Sequence, residues 1–517
     1  MFRIAERPTL ESLRRRRAEI VRIAVAGASH DLRVFGSVAH DATAKDDQAL
    51  ARLVALVATL AAFLLRIHHL DYQSFWRDEM DAVFFATRTL PELGQMYLRV
   101  GENGPLYFTL LHFWLLLVGH SDFAVRYSSL LVGVAAVPLL YVLGARLFGH
   151  VVGALAAVLL AADPYHVWYS QEAKMYALVA LVAILSVLLL DRALRSSSWA
   201  WWVAWLILLG AGFYLHFFMA LLIVTEALFV LIAWRLGWQS ARRGSTLLFV
   251  LALSYLPLAV WQVPALLHGL PTSYQFVLPN MLVTILLAKF SVGLLQPTPV
   301  AIVLFAFLFL SGVILSVPGT VRIAKALVIG WTVLPLVLFF LVSLRISLFL
   351  DRYLIIILPA YILLLGRGLF AVARRSVLAT GAAVLGIVLL WAPAVWNQPL
   401  LKQDFKRSVA YLEQHRAPRD VLLFIPSWER TYFDYYHPAP YRWISPPSID
   451  QSGLRPATTQ IKQVLRNPEV TLWLVSVEPQ YGDRHRQLQG WLDRRARLIG
   501  DVPFANLELR HYRGPVR

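Results

Sequence analysis

The chain contains no cysteine among its 517 residues, which excludes disulfides, thiol catalysis and cysteine-based metal sites. Charge is scarce as well. Only 15% of residues are charged, against 58% hydrophobic, and this balance does not describe an ordinary soluble domain. The apolar runs are continuous and do not alternate with polar residues, so a porin-like barrel is excluded and helices are the spanning element that remains. No cleavable signal peptide is visible in the polar, basic start RPTLESLRRRRAEIVRIA, so the first apolar helix is expected to act as its own insertion signal. No internal repeat relates the two halves and no matching pair of broken helices is present, the signals that point to alternating-access transport.

What is there are apolar runs of spanning length, recurring from residue 52 to residue 396, which predict a multi-span α-helical membrane protein. The formal charge of +17 would suggest nucleic acid in a soluble protein. Here many cations fall in short connections instead: Arg146, Arg192, Arg195, Arg235, Arg242, Arg243, Arg322, Lys325, Arg374 and Arg375. That bias reads as orientation, with these connections and the N-terminus cytoplasmic and no nucleic-acid partner. About eleven spans fit the bias only if 105–119 and 280–295 do not cross. Both are short and interrupted by His112 or Lys289, as suits interfacial or re-entrant helices. The expected organisation is a basic cytoplasmic extension (1–48), a transmembrane domain (49–396) with a long first external loop (71–126), and an external α/β domain (397–517). In the last, DFKRSVAYLEQH reads as helix, and DVLLFIP and VTLWLVSV read as strands.

The same orientation gathers the interesting polar residues at the outer face. Asp78 and Glu79 lie in SFWRDEMDAVFF, just past the first span, in a loop too long and too aromatic to be a mere connection. A helix start would favour them through its dipole, but a catalytic carboxylate is the reading preferred here. Arg126 and Arg352 face outward against the charge bias, as anion-binding residues would. Glu172 and Lys174, with Tyr169 and Tyr176, occupy the outer end of a helix. Glu226 falls within a span, where a structural hydrogen bond is expected.

The ordered series RDEMDAVFFA, NGPLYFTLLHFWL, AVRYSSLLVGVAAVPLLYVLGARLFG, WYSQEAKMYAL, YLHFF, LDRYLIIILPAYILLLGRGL and DFKRSVAYLEQHRAPRDVLLF resembles the family-39-type membrane glycosyltransferases. These are relatives of the protein O-mannosyltransferases and the lipid A aminoarabinose transferase, with the GT-C fold. The resemblance runs from about residue 52 to at least 425. It implies transfer of a sugar from a polyprenyl-phosphate-linked donor to a protein, lipid or glycan acceptor at the outer face of the cell membrane. Asp78 matches the family's catalytic acidic residue, with Glu79 beside it. Glu102 and Asn103 fall where relatives carry an acidic or polar residue and then His or Lys, and this chain departs from them by reading Asn-Gly-Pro-Leu. Glu172, Lys174 and Tyr176 match the next motif, His216 the one after, and Arg352 with Tyr353 the last. The roles implied are a base at Asp78, phosphate holding by Arg352 and Arg126, and substrate contacts at Glu102, Glu172, Lys174, Tyr176, His216 and Tyr353. No cofactor is certain; a divalent metal would have Asp78, Glu102, Glu172 and His216 as candidate ligands.

Two other readings stay in view, a lipid-linked sugar transporter or flippase and a non-catalytic membrane scaffold. Residues 1–45 separately resemble the opening of a minimal nucleotidyltransferase, with its Gly36-Ser37 turn but without the acidic pair such an enzyme needs for its metal.

Overall fold

The computed structural model describes residues 37–99, 103–196, 198–268, 276–317, 322–396, 400–467 and 469–514. The stretch resembling a nucleotidyltransferase start lies mostly outside the described residues, and from Ser37 onward it is already helix α1 (Ser37–Ile67). Three short helices follow in the long loop region: α2 (Arg77–Ala86), α3 (Leu90–Met96) and α4 (Pro105–Val118). Helix α3 starts where Glu92 Oε2 accepts from the Thr89 backbone N–H at 2.9 Å and from its hydroxyl at 2.7 Å, which satisfies donors a helix start leaves open.

Helices α5 (Asp122–Phe148) and α6 (His150–Ala162) form a hairpin, and α7 (Pro164–Ser170) continues α6 after a 60° bend. Then come α8 (Tyr176–Arg195), α9 (Trp199–Leu215), α10 (Met219–Arg235), α11 (Gln239–Leu267), α12 (Pro279–Val292), α13 (Pro299–Ile314) and α14 (Arg322–Ser343). A 3₁₀ turn over Asp351–Ile357 leads into α15 (Leu358–Ala373), and α16 (Val377–Trp396) closes the series.

Six of these segments are long and apolar enough to cross a bilayer: Asp46–Ile67, Asp122–Phe148, Tyr176–Arg195, Arg322–Ser343, Asp351–Ala373 and Val377–Trp396. The bent pair α6 and α7 makes a seventh. Helices α4, α9, α12 and α13 are shorter, with 14 to 17 residues. At 1.5 Å per residue they reach about 21–26 Å, less than the roughly 30 Å hydrocarbon core. Two of them, α9 and α13, are runs that hydropathy predicts to cross.

The segment leading through α15 is the axis of the bundle, 94% buried, while α16 is peripheral at 17%. Helix α15 packs on α6 and α13, and the approach to α13 is close enough to require glycine. A Cβ on Gly312 would lie 2.0 Å from the Leu364 carbonyl oxygen, and one on Gly368 would lie 1.9 Å from that of Leu308. Backbones this near exclude any side chain between them. Glu226, on α10, accepts hydrogen bonds from Ser186 and Trp205 in the buried interior.

The C-terminal part is built on a five-stranded sheet ordered β2-β1-β3-β5-β4. Its elements are α17 (Phe405–His415), β1 (Val421–Ile425), α18 (Glu429–Tyr436), β2 (Arg442–Ile444), α19 (Ile449–Ser452), α20 (Leu454–Leu465), β3 (Thr471–Val477), α21 (Gln487–Arg495), β4 (Arg497–Phe504) and β5 (Leu507–Arg513). Strand β1 runs parallel to β2 and β3, and β5 runs antiparallel to β3 and β4. Every residue of β1 is buried because both faces are covered. Val421, Leu423 and Ile425 pack with α20 and α21, and Leu422 and Phe424 pack with α17 and α18.

Gly368→Ala is expected to lower stability by about 1–3 kcal/mol, the usual effect of overpacking. Gly381→Ala, where an added Cβ meets nothing within 4 Å, should leave the melting temperature unchanged or raise it. Thermal unfolding in detergent checks the pair, and equal behaviour of the two variants would contradict the close α13–α15 crossing.

Candidate functional site

Arg77, Asp78 and Glu79 form the first turn of α2. Successive helical residues point about 100° apart, so the two adjacent carboxylates enter different surroundings. Glu79 turns inward and is fully buried. Its Oε1 accepts from Arg126 Nε at 2.7 Å and from the Ala173 backbone N–H at 2.9 Å. Its Oε2 accepts from Arg126 Nη2 at 2.7 Å and from Lys402 Nζ at 2.8 Å. Burial alone would raise this carboxyl; the charges of Arg126 and Lys402, with their hydrogen bonds, outweigh it and bring the pKa down to about 2.

Arg126 is equally committed. Besides Glu79 it donates to the carbonyl oxygens of Leu70 at 3.0 Å, Gln73 at 2.7 Å and Ser74 at 3.1 Å, which occupies all five of its N–H groups. Both oxygens of Glu79 are thus held by cations, and every N–H of Arg126 is engaged within the protein. Glu79 and Arg126 are the clamp that fixes α2 to α5 and to the 171–175 loop.

Asp78 faces the other way. Its side chain is 17% exposed, and its Oδ2 accepts from Arg352 Nη2 at 2.8 Å. Arg352 stands on the 3₁₀ turn ahead of α15 and also donates from Nε to the Tyr176 hydroxyl at 2.9 Å. Its guanidinium lies 5.3 Å from the Trp76 ring and 5.9 Å from that of Tyr176, an aromatic cradle suited to a cation. Next to it, the Tyr353 ring stacks on Phe218 at 5.0 Å and lies 5.1 Å from His216, which is 6.0 Å from Tyr176.

His216 ends α9, where the chain becomes extended before α10. Its Nδ1 accepts from the Phe218 backbone N–H at 3.2 Å, so the proton sits on Nε2. That atom is buried and has no partner among the described residues. Burial, reinforced by Lys174 and Arg352, lowers the imidazole to about 3 and keeps it neutral. Lys174 lies 5.7 Å from the Phe108 ring. Burial lowers its ammonium, against the attraction of Asp78 and Asp81.

Glu172 belongs to the buried clamp. Its Oε1 accepts from Trp168 Nε1 at 2.7 Å and lies 3.8 Å from Lys402 Nζ, while Oε2 is buried without a partner among the described residues. Burial raises it to about 7, with Lys402 opposing and Glu79 adding to the shift. Glu102 lies outside the described residues. Its neighbour Asn103 accepts from the Phe217 backbone N–H at 3.1 Å. Gly104 has a φ of +84°, and a Cβ there would fall 2.4 Å from Met175 Cε. The Asn-Gly-Pro-Leu turn thus wedges between the SQEAKMY and YLHFF segments and draws them together. Among the described residues, no group of three or more His, Asp or Glu side chains could hold a metal ion, and no cofactor is established.

Lys402 was not singled out by sequence, since a lone lysine after the last apolar run carries no signal of its own. The tyrosines of α18 are the other omission. Tyr432 donates to Asp81 Oδ1 at 3.0 Å, and Tyr436 donates to Asp122 at 3.0 Å and accepts from the Phe75 backbone N–H at 2.7 Å. Lys406 pairs with Asp122 at 2.7 Å. The sheet domain is therefore docked directly over α2.

The helical bundle has the fold of the GT-C-type membrane glycosyltransferases. A family profile described as dolichyl-phosphate-mannose-protein mannosyltransferase matches residues 102–261, the stretch holding Arg126, Glu172, Lys174, Tyr176 and His216. The chain is similar to the crystal structure of ArnT from Cupriavidus metallidurans in the apo state, with a TM-score of 0.57 at 14% identity, covering 90% of this chain and 98% of that one. The structure of the same protein bound to undecaprenyl phosphate gives 0.54 at 14% identity over the same shares. No curated protein matches the chain in sequence.

Glu79→Gln removes one charge and leaves Arg126 and Lys402 uncompensated in the interior, which is expected to destabilise the protein by about 3–5 kcal/mol. In wild type the folded pKa of Glu79 is below its unfolded value, so the stability it adds is full above the ordinary carboxylate range and is lost as the pH falls through about 2. Folded yield and thermal unfolding are the measurements; a Glu79→Gln protein as stable as wild type would remove the clamp from the account.

Proposed function

We propose that this protein transfers a sugar from a polyprenyl-phosphate-linked donor to a protein, lipid or glycan acceptor at the outer face of the cell membrane. The observation that carries the proposal is the Asp78–Arg352 pair, a partly exposed carboxylate and guanidinium brought together from positions 274 residues apart. The undecaprenyl phosphate bound to ArnT supports the class of donor.

In this reading, an acceptor hydroxyl oxygen bonds to the anomeric carbon as the bond from that carbon to the donor phosphate breaks. The lipid phosphate leaves with the electron pair, and Asp78 takes the acceptor's proton. Arg352 can give a phosphate two parallel N–H bonds, and Lys174 adds a second positive charge as the leaving oxygen becomes anionic. Neutral His216 offers Nε2–H to a sugar hydroxyl, and Tyr176 and Tyr353 give ring faces to the sugar. One displacement with no covalent intermediate inverts the anomeric centre.

Asp78→Asn is expected to insert and fold normally, because Glu79 and not Asp78 holds the helix, and to lose transfer by roughly 10²–10⁴-fold, the usual effect of removing a general base. Arg352→Lys should keep only part of the activity, since an ammonium cannot match a bidentate fork. Donor-dependent glycosylation in membranes is the assay. Wild-type transfer by Asp78→Asn would refute the assignment.

The proposed topology has eleven crossings, with α4 and α12 staying at the outer face, the N-terminus cytoplasmic and the sheet domain external. It is supported by the meeting of residues 78, 126, 172, 352 and 402 in hydrogen bonds and ion pairs linked through the adjacent Asp78 and Glu79, although they come from widely separated stretches of the chain. In a chain with no cysteine, Gly119→Cys should react with an impermeant thiol reagent in intact cells; reaction only after permeabilisation would invert the orientation.

A further inference from the structure

Helix α8 leaves the Asp78 site at Tyr176 and ends at Arg195. Its 20 residues rise about 30 Å, the thickness of a hydrocarbon core, so Arg195 marks the opposite membrane interface. A cavity of about 540 Å³ opens there between the end of α8, the start of α9 and the first two turns of α11. Arg195, Ser196, Trp199, Ser240, Arg242 and Arg243 are among the residues that line it. The Ser240 hydroxyl donates to the Leu194 carbonyl at 2.6 Å, which ties the two walls together.

Its chemistry is that of an anion site. Helix α11 has no side-chain cap at Trp238 and no acidic residue in its first turn, so the positive dipole end that borders the cavity has no carboxylate of its own helix beside it. Arg195 is partly neutralised by Asp191 at 2.7 Å, whereas Arg242 and Arg243 make no ion pair among the described residues. Arg243 lies 5.5 Å from the Trp199 ring, and its Nη1 is buried without a hydrogen-bond partner among the described residues. An unpaired guanidinium nitrogen is costly, and the rest of the Arg243 side chain is partly exposed where it lines the cavity, so an oxyanion there would meet its charge.

The surroundings set the depth of that anion. Trp201 lies against Arg192 and Trp234 against Arg235, both at the same interface, where aromatic rings and cations mark the headgroup level. We infer that this cavity binds the phosphate of an anionic phospholipid headgroup, at the membrane face opposite the Asp78 site. Arg243 and the open end of α11 take the phosphate oxygens, and Arg242 adds charge at the rim. The apolar flank of Trp199 borders the headgroup.

The test is a native mass spectrometry titration of the full chain in neutral detergent with phosphatidylglycerol, phosphatidylcholine and inorganic phosphate. Wild type should bind phosphatidylglycerol in preference to phosphatidylcholine. The double variant Arg242→Gln/Arg243→Gln should bind it roughly 30-fold more weakly, about 1 kcal/mol for each arginine near an anionic lipid. Arg374→Gln/Arg375→Gln, with the same charge removed from another basic connection, should bind as wild type does. If the first double variant does not fold, exposed Arg242→Gln alone should show a loss of about fivefold. Equal binding by wild type and the Arg242 and Arg243 variants would overturn the site, as would equal weakening by the Arg374 and Arg375 changes. Displacement of the lipid by inorganic phosphate at similar concentration would reassign the cavity to a free anion.

Discussion

Glu79 has no exposed surface, so its charge survives only because Arg126 and Lys402 both reach it. That arrangement holds four stretches of chain at one point: the start of α2, the start of α5, the 171–175 loop and the segment after α16. An isolated carboxylate here would take up a proton to escape its desolvation, and the two cations would then repel. With all three present, the junction is rigid, and Asp78 takes its direction from it. The residue proposed to act on substrate is thus aimed by its immediate neighbour in sequence, through the 100° turn between adjacent helical positions.

The opposite wall is placed by different means. Arg352 stands at the entrance to the most enclosed helix of the bundle, and that helix is seated by the glycine contact with α13. From above, α18 contributes hydroxyl groups to Asp81 and Asp122 and covers the carboxylates that α2 and α5 present. The buried Glu429 of α18 is raised to about 8, by burial and by the charge of Glu478, near Arg77. Carboxyl groups from both parts of the molecule therefore crowd the same boundary, some neutral and some ionised, and the state of each is set by how many cations reach it.

Much of this was legible in the chain. The membrane class follows from uninterrupted apolar runs, and the strands from VLLFI and TLWLVSV, which are apolar on both faces because both are covered. Asp78, Tyr176, His216, Arg352 and Tyr353 are linked by hydrogen bonds or ring contacts, with Lys174 close enough to feel the charge of Asp78. Glu79 and Arg126 meet each other in the interior, and charge in an outward loop looks the same in sequence whether it meets a ligand or another side chain. Lys402 was invisible because its partner is hundreds of residues away. Span counting blurred where helices are short, as in α9 and α13, since hydropathy measures composition and not the length that remains helical.

The separation of 323 residues between Glu79 and Lys402 also has a meaning in time. A ribosome adds about 5–20 residues per second, so a growing chain carries Glu79 for on the order of 15–65 s before Lys402 exists. During that interval Arg126, present within seconds, is the sole counter-charge, and the junction is held by one cation where two are needed to complete it. The last membrane helix must be in place before the segment bearing Lys402 can arrive. The site is therefore completed only after the bundle has been made, and a chain stopped at the end of the bundle would contain Asp78 and Arg352 without the post that keeps them aligned.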